Sequence, residues 1–267
     1  MRKKLFIALF SLPVIVIAVF LWLSSSYVVP IMMYHSVNDA GRSENLIPTY
    51  HHQSTGNTVS PQNFSKHMEY LKANRYNVIS LEEFIDAIKT KRRLPFKSVV
   101  ITFDDGYEDN YIYAFSELKK HQFPATIFVL VTTVGQKGWL SWDQIKEMEK
   151  QNISIGSHTV SHTYLPDGDE DKQRFEITES KKILEEKLGR VVNALAYPAG
   201  GFTEKTKEIA RQAGYKGACT TNRGYDRLNK DLYEIKRIRF SNKDYPLSIW
   251  LKLSGFYNIF RSSKDPY

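Results

Sequence analysis

The 267-residue chain has one cysteine, Cys219. A lone thiol closes no internal disulfide, so the fold must rest on its hydrophobic core. In "YKGACTT" this cysteine reads as a small buried strand residue, which disfavours it as a catalytic nucleophile. There is no low-complexity tract, no fibrous repeat and no sign of a second domain; 42% hydrophobic residues suffice for one large domain. No histidine occurs beyond His162, and no charged residue lies between Leu5 and Leu23.

That uncharged run follows a basic cluster, Arg2, Lys3 and Lys4, and only Ser11 and Pro13 interrupt it. Its length falls between a signal-peptide core and a full membrane span. Ser24, Ser25 and Ser26 are small enough for cleavage but form no A-x-A site. Residues 1–27 are therefore expected to be an uncleaved signal anchor in preference to a cleaved signal peptide. The basic end would stay in the cytoplasm, and residues 28–267 would lie outside the cell membrane or be secreted. The formal charge is +8, and three of those charges belong to the N-terminal cluster. The modest remainder suits work beside an anionic membrane or cell wall. It is too dispersed for a nucleic-acid footprint, and export argues against one. A monomer is expected.

From residue 28 onward, apolar runs alternate with amphipathic ones. Strands are expected in "VVPIMMY", "SVVITF" (98–103), "ATIFVLV" (125–131), "ISIGS" (153–157), "NALAY" (193–197), "YKGACT" and "LYEIKRIRF". Helices are expected in "SPQNFSKHMEYLKANRY", with Ser60 as N-cap and Pro61 first, and in "LEEFIDAIK" and "NYIYAFSELKKHQ". Four more follow: "SWDQIKEMEKQ" capped by Ser141, residues 171–188 ended by Gly189, "TEKTKEIARQA" and "PLSIWLKLSGF". Residues 38–60 read as a flexible polar insertion. Such alternation predicts an α/β fold with a parallel sheet covered by helices, and about seven strands suit a distorted β/α barrel.

In such folds chemistry gathers where strands end. "TFDDGY" puts Asp104 and Asp105 side by side at one strand end. Adjacent anions repel, and a divalent cation would relieve them, one carboxylate ligating and the other accepting a proton. The competing reading is an ordinary D-D-G surface turn. "SHTVSH" supplies His158 and His162 four residues apart. On one helical turn two such imidazoles face the same way and can grip one metal. With one carboxylate they leave coordination positions open, and zinc is the metal such donors favour, with Co2+, Ni2+, Mn2+ or Fe2+ as alternatives.

"TFDDGY", "SHTVSH" and "YPAGG", in that order, resemble the polysaccharide deacetylases, the NodB-homology or carbohydrate esterase 4 family. The resemblance spans residues 28–260. It implies a distorted seven-stranded β/α barrel and metal-dependent removal of N-acetyl groups from amino sugars. It further implies Asp104 as general base, Asp105, His158 and His162 as metal ligands, and the N–H of Ala199 as an oxyanion donor. Two departures stand out. Ala196 occupies the place where many members carry an arginine that orients the base; Arg237 in "EIKRIRF" could replace it, or could be a surface arginine. The late acid histidine is also missing. His67 and His121 fall on amphipathic helices, where exposure is expected, and His51 and His52 lie in the polar loop. His35 alone follows an apolar strand. The "MYH" context resembles the branch that deacetylates the biofilm polymer poly-N-acetylglucosamine, whose acid histidine arrives on the first strand. Tyr107, Trp139, Trp142 and Tyr197 are candidates for sugar contact, with core packing as the alternative for the tryptophans.

The expected activity is removal of N-acetyl groups from an N-acetylglucosamine polysaccharide, poly-β-1,6-linked first and peptidoglycan second. An O-acetyl esterase of wall polysaccharide or xylan would need less help protonating its leaving group. A carbohydrate-binding protein on the same fold would have no need of an intact ligand set.

Overall fold

In the computed structural model, the described residues are 29–39, 57–222 and 231–255, with Val14 alone from the N-terminal segment. The expected anchor, His51, His52 and most of the 38–60 insertion lie outside them. Among the described residues no helix is long and apolar enough to cross a membrane.

Among the described residues ten strands form: β1 (Ile31–Tyr34), β2 (Ser36–Val37), β3 (Thr58–Val59), β4 (Asn77–Val78), β5 (Ser98–Phe103), β6 (Ala125–Val129), β7 (Ile153–Ser157), β8 (Ala194–Ala196), β9 (Gly217–Cys219) and β10 (Ile238–Arg239). Seven of them line up in the order β10-β1-β5-β6-β7-β8-β9, and every pairing is parallel. β4 adds to β5 off this path. The sheet curls until its far edge meets the chain entering β10, through a parallel bridge between Cys219 and Ile235. β2 and β3 form a separate parallel pair, so the two ends of the supposed insertion are tied together.

Seven α-helices of the described residues cover the sheet: α1 (Pro61–Ala73), α2 (Leu81–Thr90), α3 (Phe115–His121), α4 (Trp142–Glu149), α5 (Glu170–Leu188), α6 (Glu204–Gln212) and α7 (Pro246–Leu253). The caps follow the sequence. The Ser60 side chain accepts from Asn63 N–H, Ser141 and Gln144 form a reciprocal capping box, and Gly189 ends α5 in the left-handed conformation. The run expected as one helix from Asn110 opens instead with a π turn, Asn110–Ala114, before α3.

Strand phase decides what faces inward. Met32, Tyr34, Ile101, Phe103, Leu195 and Tyr197 pack in the large cluster with the helices. Ile31, Val100, Phe128, Ala194, Ala196 and Cys219 fill the concave side, where Leu81, Phe84 and Ile85 of α2 join them. Continuing the inward phase past the strand ends gives His35 after Ile31, Asp104 after Val100 and Thr102, and His158 after Gly156. Cys219 is buried as expected, and burial pushes its thiol up to about 12, which leaves it inert. His67 is fully buried rather than exposed: its Nδ1 meets the Tyr34 hydroxyl at 3.0 Å, inside the helix layer. His121 is half-buried against Glu117 and Phe123.

Candidate active site

Parallel strands place all their carboxyl ends on one side, and a cavity of about 260 Å³ opens there. Its walls include His35, Asp104, Asp105, Tyr107, His158, His162 and Ala199. Residues far apart in sequence meet because each directly follows a strand of the same sheet.

Asp105, His158 and His162 offer ligand atoms that all lie within 4.8 Å of one another. Asp105 Oδ1 stands 3.4 Å from His158 Nε2 and 3.6 Å from His162 Nε2. Two donors bound to a tetrahedral zinc at about 2.0–2.1 Å stand roughly 3.4 Å apart, so the spacing fits an ion between them. The tautomer fits as well. His158 Nδ1 lies 2.8 Å from the Ala196 carbonyl, which only an Nδ1–H can satisfy, so Nε2 keeps its lone pair for a metal. Burial opposes ionisation of Asp105, yet the His158, His35 and His162 imidazoles hold its carboxyl far below the usual range. Burial likewise lowers His158, but Asp105 and Asp104 outweigh it and raise the imidazole.

The two histidines do not share a helical turn. Residues 158–163 form a loop in which Thr159 (φ 71°) and His162 (φ 62°) are left-handed. For a β-branched threonine this is strained backbone, which persists only where the surroundings enforce it. Here they do. Glu176, fully buried on α5, accepts from Val160 N–H and Ser161 N–H at 2.9 Å each, and from the hydroxyls of Ser161 and Thr163. Asp105 is left-handed too (φ 76°), followed by Gly106 (φ 80°), and this turn brings the second aspartate beside the first.

Asp104 has a different partner. Arg237 donates to both its oxygens, Nη1 to Oδ1 at 2.6 Å and Nη2 to Oδ2 at 2.7 Å. Arg237 is fully buried, not a surface arginine, and its Nε donates to the Thr220 carbonyl at 3.1 Å. Burial would raise the Asp104 carboxyl, but the guanidinium wins and holds it below its ordinary value. His35 Nε2 lies 3.9 Å from Asp104 Oδ2. Burial lowers the His35 imidazole, and the two aspartates offset this only in part.

Of the expected sugar contacts, only Tyr107 lines the cavity. Trp139 is buried beneath it, ring stacked on ring at 4.8 Å, and so supports the wall without forming it. Trp142 opens α4 and packs against the helix-side core. Tyr197 is fully buried with its hydroxyl donating to the Tyr233 carbonyl, because it sits on the outward phase that follows Leu195. The sequence reading missed Ser36, Asn57, Thr221 and Arg239 in the cavity wall. Arg239 had a signal, since it repeats the inward phase of Arg237 two residues on. Asn57 and Thr221 had none.

The geometry agrees with the comparisons. The model of the polysaccharide deacetylase family matches residues 91–218. YxkH of Bacillus subtilis (strain 168), which bears the same family name, is 34% identical over 214 residues, 79% of this chain and 71% of that protein. The chain belongs to the polysaccharide deacetylase family. The poly-beta-1,6-N-acetyl-D-glucosamine N-deacetylase of Staphylococcus epidermidis is 30% identical over 199 residues, 69% of this chain and 68% of that protein. Among solved structures, the Streptococcus pyogenes deacetylase PplD in complex with acetate superposes with a TM-score of 0.76 at 30% identity, over 85% of this chain and 98% of that one. IcaB from Ammonifex degensii gives 0.74 at 26% identity, over 85% and 97%. Membership makes this chain a hydrolase that removes acetyl groups from a polysaccharide, and the donor cluster, the clamped carboxylate and the cavity imidazole are the groups available for that reaction.

Proposed function

We propose that this chain is an exported, metal-dependent hydrolase that removes N-acetyl groups from a β-1,6-linked N-acetylglucosamine polymer. The observation that carries the reading is a metal-donor cluster, Asp105, His158 and His162, in one cavity with an arginine-clamped carboxylate and a separate imidazole. A divalent cation held by those three residues, zinc by preference for two imidazoles and a carboxylate, would supply Lewis acidity that no side chain here provides.

The remaining work falls to the chain itself. Asp104, kept ionised by Arg237, accepts the proton that the attacking water sheds. The two-nitrogen clamp stops this carboxylate from rotating away from the cavity. Ala199, left-handed at φ 53° in the cavity wall, offers its N–H to the carbonyl oxygen as that oxygen gains charge. His35, as imidazolium, gives a proton to the departing nitrogen as the C–N bond breaks, and the proton captured by Asp104 replaces it, so that acetate is released and a free amine stays on the sugar. It stands 3.9 Å from Asp104, so proton capture and proton release occur within one site.

The linkage is supported by the staphylococcal relative, and export and tethering by the basic, then uncharged, run at residues 1–27. The test is acetate and free amine released by the zinc-loaded protein from β-1,6 and β-1,4 N-acetylglucosamine oligomers, peptidoglycan and acetylated xylan. The reading expects β-1,6 oligomers to be turned over fastest and a chelator to stop the reaction. Turnover of acetylated xylan alone, or a rate that survives Asp105→Ala, overturns it. Recovery of the protein in washed membranes with residues 1–27 attached tests the anchor.

A further inference from the structure

The His35 ring is poorly held for a group that must aim a proton. Its Nδ1 is buried and has no hydrogen-bond partner, and Nε2 reaches Asp104 only at 3.9 Å. His158 differs, because the Ala196 carbonyl fixes its ring. The direction of the His35 side chain therefore depends on its backbone.

That backbone is clamped from one side. Asn110 Nδ2 donates to the His35 carbonyl at 2.8 Å. Asp109 Oδ1 accepts from Val37 N–H at 3.2 Å, and Asp109 Oδ2 accepts from the Ser36 hydroxyl at 2.5 Å and Asn38 Nδ2 at 2.9 Å. Asn110 Nδ2 also donates to Asp109 Oδ1 at 2.9 Å, which joins the two clamp residues. Both are buried, Asn110 completely. A buried carboxylate with no cationic partner among these contacts is costly, and a hydrophobic pair would cost less if only packing were needed. Asn110 also opens the π turn, an irregularity that recurs at functional sites. The clamp and the Asp104–Asp105 pair belong to the same stretch of chain, so one segment sets the base and the backbone of the imidazole facing it.

We infer that Asp109 and Asn110 are positioning residues that aim His35 at the leaving nitrogen. The inference rests on His35 as the proton donor, and leaving groups separate the two. An amide nitrogen needs a proton to depart, whereas the phenolate of 4-nitrophenyl acetate departs without one. The experiment uses the full-length zinc-loaded protein and the variants His35→Ala, Asp109→Asn, Asn110→Asp and Ser36→Ala. Each is assayed on an N-acetylglucosamine oligomer and on 4-nitrophenyl acetate, with bound zinc measured. The ratio of amide to ester turnover should fall about 100-fold for His35→Ala, within the usual range for a lost general acid. It should fall about 10-fold or more for Asp109→Asn and Asn110→Asp, at unchanged zinc content. If those two fail to fold, Ser36→Ala removes the bond its hydroxyl donates to Asp109 and the one it accepts from Asn38 Nδ2, and should lower the ratio in the same direction. A split in His35→Ala without one in the clamp variants overturns the positioning role. Equal losses on both substrates in His35→Ala overturn the proton-donor reading itself.

Discussion

Acid should destabilise this protein through His67. The ring is fully buried between α1, β1 and the chain before α7. Its Nε2 faces the Asp244 carbonyl at 3.3 Å and so carries the hydrogen, while Nδ1 accepts from the Tyr34 hydroxyl. Its pKa falls from 6.5 to about 4: burial is the main cause, the Asp244 carbonyl and carboxylate offset part of it, and Lys252 adds to the fall. The sign follows from linkage. Below pH 6.5 the unfolded chain takes up a proton that the folded chain refuses until about pH 4, so stability is intact above 6.5 and falls between 6.5 and 4. At about 1.36 kcal/mol per pH unit, rounded off near each pKa, the loss by pH 4.5 is about 2–3 kcal/mol. Denaturant unfolding at pH 7.5 and 4.5, with chelator in both so that metal release does not enter, measures it. His67→Gln keeps one donor and one acceptor but cannot titrate. The wild type should lose about 2–3 kcal/mol more than this variant between the two pH values. Equal losses would refute the reasoning and mean that the folded protein accommodates a charged His67.

Three further perturbations separate the parts of the site. Arg237→Lys replaces a two-pronged clamp with a point charge and should lower amide turnover about 100-fold at unchanged zinc content, checked by steady-state kinetics with metal analysis. Glu176→Gln weakens the support under the strained 158–163 loop and should reduce zinc affinity about 10- to 100-fold, read by competition with a chromophoric chelator. Gly200→Ala would drive a Cβ into the side chain and backbone of Thr221 at φ +81°, and should cost about 1–3 kcal/mol in denaturant unfolding.

Much of the scaffold was legible because local signals carry it. Ser98–Phe103 and Ile153–Ser157 are strands at the expected residues, and the caps at Ser60, Ser141 and Gly189 act as their chemistry requires. The candidate metal donors are legible as residue types at strand ends, but their spacing points to the wrong local geometry for His158 and His162. Their spacing suggested a helical turn, and the structure uses two left-handed residues and a buried glutamate instead. Nothing near Ser161 in sequence points to Glu176, fifteen residues on. Tyr107 apart, the aromatic expectations fail for a related reason. Trp139, Trp142 and Tyr197 are amphipathic residues close to the site in sequence, and proximity does not say which side of a strand or helix they occupy.

Arg237 shows where strand phase stops being enough. In "RIRF" the alternation is visible: Ile238 and Phe240 pack among the helices, which turns Arg237 and Arg239 to the concave side. Phase alone would make this a poor strand, since a fully buried guanidinium costs several kcal/mol. What makes it tolerable is Asp104, 133 residues earlier, together with the Thr102 hydroxyl and the Thr220 carbonyl. The same pairing removes the objection raised by Ala196, because a guanidinium reaches the carboxylate from the strand two places further along the chain. Each residue is anomalous alone, an anion and a cation both inside a hydrophobic sheet. Together they keep Asp104 ionised and fixed in direction, which the proton-acceptor role proposed for it requires.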